Sequence, residues 1–206
     1  MIRLYLKPIG QCTNLKQAFE QLPSKLQARI ARKKQQKRKN SSIAGYSLLQ
    51  FVLQKEFGTG LDSLRFLESG KPVLEGKSIA FSISHSSTLL GVAVSNQEII
   101  GLDIEGFRYF DDISVAFPFF SPIEQSTLMN AKHPQEQLIS FWSKKEALVK
   151  AVGGRMFDMA AHTDVTKKST LWLNQRYFFY PVESYLEQII WIASSLSDAK
   201  IKTTLL

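Results

Sequence analysis

Two acidic residues separated by one position, Asp103 and Glu105, end a stretch rich in branched apolar residues. Because strand side chains alternate between the two faces of a sheet, these two carboxylates are expected to point to the same side. Paired hard oxygen ligands suit Mg²⁺, which takes one or two protein carboxylates together with phosphate oxygens and water. The alternative is a solvent-facing acidic strand end, and the pair alone leaves both interpretations open.

A third carboxylate and a cation occur in residues 141–150, which have the pattern of a helix. Glu146 and Lys150 are four positions apart, so they lie on one helix face and can act together on one bound group. An ordinary exposed Glu–Lys pair, worth about 0.2–0.5 kcal/mol, has the same spacing. Trp142, in the same segment, is typical of a core residue.

A third group of residues has side chains suited to binding phosphate. His85 lies just past a predicted strand and is flanked by Ser84 and Ser86. A hydrolase is disfavoured, because adjacent Ser and His rarely reach nucleophile–base geometry and no Gly-x-Ser-x-Gly turn is present. A histidine and serines at a strand-to-loop junction can instead donate hydrogen bonds to a phosphate. Lys71, in a Gly-Lys-Pro turn at 70–72, would add a fixed cation.

The excess of positive charge is concentrated in residues 25–39, the basic segment. The chain has 26 Lys and Arg against 18 Asp and Glu, a formal net charge of +8. Eight basic residues and no acidic residue lie in this segment, and the rest of the chain balances at 18 of each sign. The segment fits a solvated helix face, an acidic protein partner or a phosphorylated cofactor. Nucleic acid is disfavoured, because no aromatic residues interleave the run.

Composition limits the class of protein. The 206 residues are 44% hydrophobic, which indicates a packed globular chain. Cys12 is the one cysteine, so an intramolecular disulfide and a cysteine-based zinc cluster are excluded. No apolar run approaches the roughly 18 residues that span a bilayer, and the first residues lack a signal-peptide core. The sequence therefore predicts a cytoplasmic protein without a membrane segment.

The elements that position these residues follow from hydrophobic periodicity. Alternation predicts a strand over residues 2–7, and the basic segment can be helical over about 24–39. Helical spacing predicts a core helix that starts at a cap formed by Asn40, Ser41 or Ser42 and ends at Gly58. Three β-rich runs predict an antiparallel meander at residues 79–84, 89–94 and 99–105.

The second half of the chain also contains helices and strands. Ser121, Pro122 and Glu124 have the spacing of a capping box, which predicts the start of a helix. Residues 135–152 predict a long helix ended by Gly153 and Gly154. Strand-like runs follow at 171–173, 177–180, 189–194 and 201–205. This order predicts an α+β fold of two halves joined near residue 105.

Five motifs taken together resemble the Sfp-type 4′-phosphopantetheinyl transferases. They are Gly-Lys-Pro at 70–72, Phe-Ser-Ile-Ser-His-Ser at 81–86, Gly-Leu-Asp-Ile-Glu at 101–105, Phe-Phe-Ser-Pro-Ile-Glu at 119–124 and Trp-Ser-Lys-Lys-Glu-Ala-Leu-Val-Lys at 142–150. The 43-residue separation of Asp103 and Glu146 is the most discriminating part. The resemblance implies two similar α+β halves with pseudo-twofold symmetry, residues 1–105 and 106–206, with coenzyme A and Mg²⁺ between them.

The resemblance also implies a reaction and a role for each residue. The family transfers the 4′-phosphopantetheine arm of coenzyme A to a serine of an apo acyl or peptidyl carrier protein, as a holo-[acyl-carrier-protein] synthase does. Adenosine 3′,5′-bisphosphate is released. By resemblance Asp103, Glu105 and Glu146 hold Mg²⁺, Glu146 or a water is the base, and Lys150 neutralises or protonates the departing phosphate. The residues implied in contacting the coenzyme A phosphates are Lys71, Ser84, His85 and Lys150.

One position departs from the family pattern. Members generally have an arginine just before the core helix, where alignment places Ser41, and Arg38 or Lys39 are the candidate replacements. By this interpretation the basic segment binds the 3′-phosphate of coenzyme A or an acidic carrier protein. The alternative function is a non-catalytic module that binds carrier protein or nucleic acid through the basic segment. The sequence leaves the pathway open among fatty-acid, polyketide, polyunsaturated-lipid and nonribosomal-peptide synthesis.

Overall fold

The computed structural model describes residues 1–96 and 99–206. The strands in these ranges are β1 Ile2–Pro8, β2 Leu64–Phe66, β3 Pro72–Leu74, β4 Ala80–His85, β5 Leu89–Ser95, β6 Ile100–Gly106, β7 Ser169–Trp172, β8 Gln175–Val182, β9 Gln188–Ser194 and β10 Ile201–Leu205. The α-helices are α1 Leu15–Glu20, α2 Ser24–Ala31, α3 Gln36–Phe57, α4 Pro122–Met129, α5 Pro134–Val152 and α6 Met156–Met159. Short 3-10 helices cover Ile9–Gln11, Ile113–Phe119 and Ala160–His162. The predicted α+β class is confirmed.

The described strands form two four-stranded sheets and one small hairpin. The first sheet has the order β10-β1-β5-β4, and the second has the order β6-β9-β8-β7. Strands β2 and β3 form the hairpin. A cluster of apolar side chains from both larger sheets, including Leu4, Leu89, Leu102 and Ile192, packs between them and joins them in one core. No helix in the described part of the chain has both the length and the apolarity needed to cross a bilayer.

The predicted three-stranded meander is wrong in its third strand. Strands β4 and β5 do form an antiparallel hairpin. Strand β6, however, pairs with β9 in the second sheet. The physical reason is that β5 already has β1 on one edge and β4 on the other, so its backbone has no edge for a third strand.

Strands β4 and β6 instead meet side by side through serine hydroxyls. The N–H of Leu102 donates to Ser82 Oγ at 2.9 Å. The N–H of Ile104 donates to Ser84 Oγ at 3.2 Å. These two bonds satisfy buried β6 donors that have no backbone partner on this side, and they bring the two sheets into register.

The sheets do not follow the predicted division of the chain near residue 105. Strand β10 from the second half pairs in parallel with β1, with Ile201 opposite Ile2. Strand β6 from the first half belongs to the second sheet. The division into residues 1–105 and 106–206 stays a prediction about domains. Each half of the chain contributes one strand to the sheet formed mainly by the other half.

The core helix begins earlier than its cap-type residues predict. Helix α3 starts at Gln36, four residues before Asn40, and ends at Gly58, whose φ of 60° gives the expected left-handed stop. Gln36 Nε2 donates to Asn40 Oδ1 at 2.8 Å, which ties the added turn to the next one. Residues 24–39, which the sequence allows to be helical, are divided between two helices, because α2 ends at Ala31 and α3 starts five residues later.

Helices α4 and α5 agree with the predictions. Ser121 and Glu124 form the reciprocal capping box at the start of α4. Helix α5 ends at Gly153, whose φ is 76°. It packs across β6 and β9, and this position carries Glu146 and Lys150 to the end of β6.

Candidate active site

Three side chains from three different elements meet at the junction of the two sheets. Lys150 Nζ on α5 lies 2.7 Å from Asp103 Oδ1 on β6. The same ammonium donates to Ser84 Oγ on β4 at 2.9 Å. Ser84 Oγ in turn donates to Asp103 Oδ1 at 3.1 Å. The structure thus brings together three predicted site residues that are up to 66 positions apart in the chain.

The contact between α5 and β6 depends on a glycine. A Cβ added at Gly101 would lie 1.9 Å from the carbonyl oxygen of Ala147 and 2.5 Å from the nitrogen of Ala151. Both are backbone atoms of α5, so this helix lies directly on the strand and a larger residue has no space. The close approach allows the Lys150 side chain, one turn from Ala147, to reach Asp103.

Asp103 is not the solvent-facing strand end considered as the alternative. Asp103 is only 3% exposed, and its Oδ2 atom is buried without a hydrogen-bond partner. A buried carboxylate oxygen without a partner is costly, and it suits a cation that supplies the missing contact. Oxygen donors of this kind are what Mg²⁺ prefers, so the chemistry of Asp103 fits the implied metal.

The three carboxylates do not form a ready ligand set. Among the residues that the structure describes, no three His, Cys, Asp or Glu side chains are grouped closely enough to hold a metal ion. In this arrangement Lys150 supplies positive charge to Asp103, while Glu105 lies near Arg108, with a closest N–O distance of 3.9 Å. The structure therefore places Glu105 and Glu146 near Asp103 without assembling a coordination shell.

The two other carboxylates, Glu105 and Glu146, are both influenced by the charges of Asp103 and Lys150. Burial raises the pKa of Glu105, and the charge of Asp103 raises it further against the opposing effects of Arg108 and Lys150. Burial also raises the pKa of Glu146, which Lys150 opposes and Asp103 reinforces. Crowded carboxylates of this kind are stabilised as anions by a cation placed among them.

A cleft of about 360 Å³ opens beside Lys150. Its walls include Ser41 and Tyr46 of α3, Lys71 of the β2–β3 turn, and His85 at the end of β4. The turn prediction is confirmed, with Gly70 at a φ of 85°. A volume of this size is in the range of small-molecule binding sites.

Lys71 and His85 occupy different positions in this cleft. Lys71 Nζ donates to the carbonyl of Ala151 near the C-terminal end of α5, where a cation also interacts favourably with the helix dipole. Burial lowers the pKa of Lys71. His85 is exposed at the rim, and its pKa is lowered by partial burial of the ring and by the charges of Lys150 and Lys37.

The basic segment reaches the cleft at its C-terminal end. Lys37 lies in the first turn of α3, one turn before Ser41, and is near enough to His85 to influence its pKa. Arg29 of α2 lies 3.9 Å from the ring centroid of Phe66. Together with Lys25 and Arg32, Arg29 lines a separate groove of about 540 Å³. The C-terminal part of the basic segment therefore lies beside the cleft, and its N-terminal part lies at the separate groove.

A buried ion pair behind the site is invisible to local sequence patterns. Lys145 Nζ lies 2.9 Å from Glu124 Oε2, and both side chains are fully enclosed. Glu124 Oε1 accepts from the N–H of Val165 at 2.8 Å. Burial lowers the pKa of Lys145, although Glu124 opposes this shift. The pair fastens α4 and α5 together, so it supports the helix that carries Glu146 and Lys150.

Comparison with known proteins identifies the class. The sequence profile described as the 4′-phosphopantetheinyl transferase superfamily matches residues 99–189, which include Asp103, Glu105, Glu146 and Lys150. The chain is 33% identical over 177 residues to 4′-phosphopantetheinyl transferase AcpT of Salmonella typhimurium, covering 84% of this chain and 86% of that protein. The chain therefore belongs to the 4′-phosphopantetheinyl transferase family, as its motifs predict.

Two further relatives carry the same description. The chain is 36% identical over 119 residues to 4′-phosphopantetheinyl transferase HetI of Nostoc, covering 53% of this chain and 50% of that protein. It is 32% identical over 139 residues to AcpT of Escherichia coli K12, covering 65% and 68%. The relatives thus include proteins with two different names, AcpT and HetI, within one family.

Proposed function

We propose that this protein transfers the 4′-phosphopantetheine group of coenzyme A to a serine hydroxyl of an apo acyl or peptidyl carrier protein. The serine oxygen forms a new bond to the phosphorus that carries pantetheine. The bond from this phosphorus to the bridging oxygen of the pyrophosphate breaks, and adenosine 3′,5′-bisphosphate leaves. The serine proton passes to a base on the enzyme. This activity is that of a holo-[acyl-carrier-protein] synthase.

The observation that carries the proposal is the cluster of Asp103, Ser84 and Lys150 beside the cleft. It combines a cation for a phosphate with a buried carboxylate oxygen that has no partner. Breaking a pyrophosphate bond accumulates negative charge on its oxygens, and fixed cations oppose that charge in the transition state. The family membership supports this chemistry over other phosphate chemistries.

The proposal assigns roles to six of the predicted site residues. Asp103, Glu105 and Glu146 would hold Mg²⁺, which supplies electrophilic stabilisation of the phosphate oxygens when it is bound. Glu146, directly or through water, takes the serine proton, and its raised pKa favours proton acceptance. Lys150 stabilises the departing phosphate. Lys71 and His85 line the cleft that would receive the coenzyme A phosphates.

The proposal also covers the organisation of the chain and its partner. Two halves, residues 1–105 and 106–206, would be related by a pseudo-twofold axis with coenzyme A between them. The two four-stranded sheets, and a cleft with walls from both α3 and α5, support this arrangement. The charge of the basic segment supports an acidic carrier protein. A cytoplasmic location is part of the same proposal.

The direct test is mass spectrometry of carrier proteins after incubation. The protein, coenzyme A, Mg²⁺ and a panel of apo carriers from fatty-acid, polyketide and nonribosomal-peptide systems are mixed. We expect the mass of at least one carrier to increase by one phosphopantetheine group. Carrier binding without any mass increase would refute transfer and support the non-catalytic alternative.

The metal assignment has its own test in the same assay. Chelation with EDTA should stop transfer, and added Mg²⁺ should restore it. Asp103→Ala should abolish transfer and also weaken Mn²⁺ binding measured by electron paramagnetic resonance. Transfer at the normal rate in EDTA would refute the metal role of these carboxylates.

A further inference from the structure

The hydroxyl of Ser84 has no hydrogen-bonding capacity left for a substrate. A serine hydroxyl has one proton to donate and two lone pairs that accept. The proton goes to Asp103 Oδ1. The lone pairs accept from the N–H of Ile104 and from Lys150 Nζ. The residue is only 5% exposed, so a phosphate would have to displace one of these partners to reach it.

We propose that Ser84 is a positioning residue for Asp103 and Lys150 and does not itself bind coenzyme A phosphate. The inference rests on the proposed function, since the transfer reaction is what this positioning would serve. The single Oγ atom of Ser84 is hydrogen-bonded to β6 and to α5. It fixes the position of Asp103 Oδ1 relative to the Lys150 ammonium, and the lone pairs of Asp103 Oδ2 stay available for a cation. Partners that hold metal-binding carboxylates in this way tune the site strongly.

Ser82 provides a matched control on the same strand. It lies two residues before Ser84, on the same face of β4. Its hydroxyl also accepts from a backbone N–H of β6, that of Leu102. The additional contacts of Ser84 are those to Asp103 and Lys150. A comparison of Ser84→Ala with Ser82→Ala therefore separates positioning of the site from joining of the two sheets.

Steady-state kinetics distinguish the two roles. We expect Ser84→Ala to lower kcat by about 10- to 100-fold and to change the KM for coenzyme A by less than about twofold. Ser82→Ala should keep kcat within about twofold, because its hydroxyl bonds the N–H of Leu102 and does not hold Asp103 or Lys150. Both variants should lower the thermal unfolding midpoint, because each loses one bridge to β6. Ser84→Thr, which retains the hydroxyl, should recover most of kcat.

A double-mutant cycle with Lys150→Ala tests whether Ser84 acts through the lysine. If it does, Ser84→Ala in the Lys150→Ala background should lower kcat by much less than it does in the wild type. If Ser84→Ala raises the KM for coenzyme A equally in the wild-type and Lys150→Ala backgrounds, Ser84 contacts the phosphate directly and the proposal is overturned. Equal kcat losses in Ser82→Ala and Ser84→Ala would overturn it as well.

Metal binding provides a measurement that needs no transfer activity. Titration with Mn²⁺, followed by electron paramagnetic resonance, should show about tenfold weaker binding in Ser84→Ala than in Ser82→Ala. Calorimetry should show similar coenzyme A affinities for Ser84→Ala and the wild type. If the wild type transfers nothing but this difference persists, the proposed function fails and the positioning role stands. Equal Mn²⁺ affinities would overturn the positioning role whatever the transfer assay shows.

Discussion

Replacement of Gly101 with alanine should damage catalysis more than stability. The new Cβ would lie 1.9 Å from Ala147 O, whereas ordinary contact begins at 3.4 Å. Helix α5 must therefore retreat by about 1.5 Å, because the obstructing atoms are backbone and cannot rotate away. This movement would carry Lys150 Nζ, now 2.7 Å from Asp103 Oδ1, out of hydrogen-bond range.

The magnitudes follow from that displacement. Overpacking of this kind costs about 1–3 kcal/mol of unfolding free energy, which lowers the melting temperature of a chain this size by about 2–4 °C per kcal/mol. A displacement of about 1 Å at a catalytic group can lower the rate by about 100-fold. The assays are thermal unfolding and the initial rate of carrier modification at saturating substrates.

Gly91→Ala is the matched control. A Cβ at Gly91 would also be crowded, at 2.5 Å from Ile104 Cδ1, but its neighbours are ends of flexible side chains. We expect it to lower stability without a comparable fall in kcat. The reasoning is refuted if both variants lose activity equally, or if Gly101→Ala keeps the normal rate.

Three other changes test different parts of the structure. Lys145→Met leaves a buried carboxylate without its ion pair and should lower the unfolding free energy by about 3–5 kcal/mol in urea denaturation. Lys150→Ala should lower kcat in a folded protein at saturating substrates, because a contact strengthened in the transition state is lost. Neutralising Lys33, Lys34 and Lys37 together should raise the KM for the carrier and flatten its dependence on salt, with little change in the KM for coenzyme A.

Each of these predictions has an outcome that would contradict it. Lys132→Met, at an exposed position before α5, is the control for Lys145→Met and should leave the unfolding free energy unchanged. An equal loss of unfolding free energy in the two variants would refute the role of the buried pair. Unchanged kcat in Lys150→Ala would refute a catalytic role for Lys150 and leave its ion pair with Asp103 a structural contact. A rise in the KM for coenzyme A in the triple variant would assign part of the basic segment to the nucleotide, with Lys37 as the residue beside the cleft.

Sequence patterns located most elements because each depends on neighbouring residues. The capping box at Ser121 and the glycine stop at Gly153 are local signals, and both were predicted correctly. The start of α3 was wrong, because Asn40 is a good cap residue that here accepts a bond from Gln36 inside a longer helix. Cap-type residues indicate where a helix can begin, and side-chain bonds within the helix can override them.

Long-range partners were not predictable in the same way. Periodicity identified β6 as a strand, but its pairing with β9 depends on which edges the other strands leave open. The pair of Glu124 and Lys145 joins residues 21 positions apart with no shared pattern. Gly101 did carry a signal, since a glycine inside a strand often marks a close approach of another backbone. For Ser84, the motif indicated a site but not the partners of its hydroxyl.

The pairing of β1 with β10 also determines when the first sheet can be completed. A chain that emerges from the ribosome with its N-terminus first presents β1 long before residues 201–205 exist. Until then, one edge of β1 has no partner, and an open strand edge is a template for pairing with other chains. Contacts over such a separation are also slow to form. This edge of β1 is therefore covered only after a strand about 200 residues later in the chain has been made.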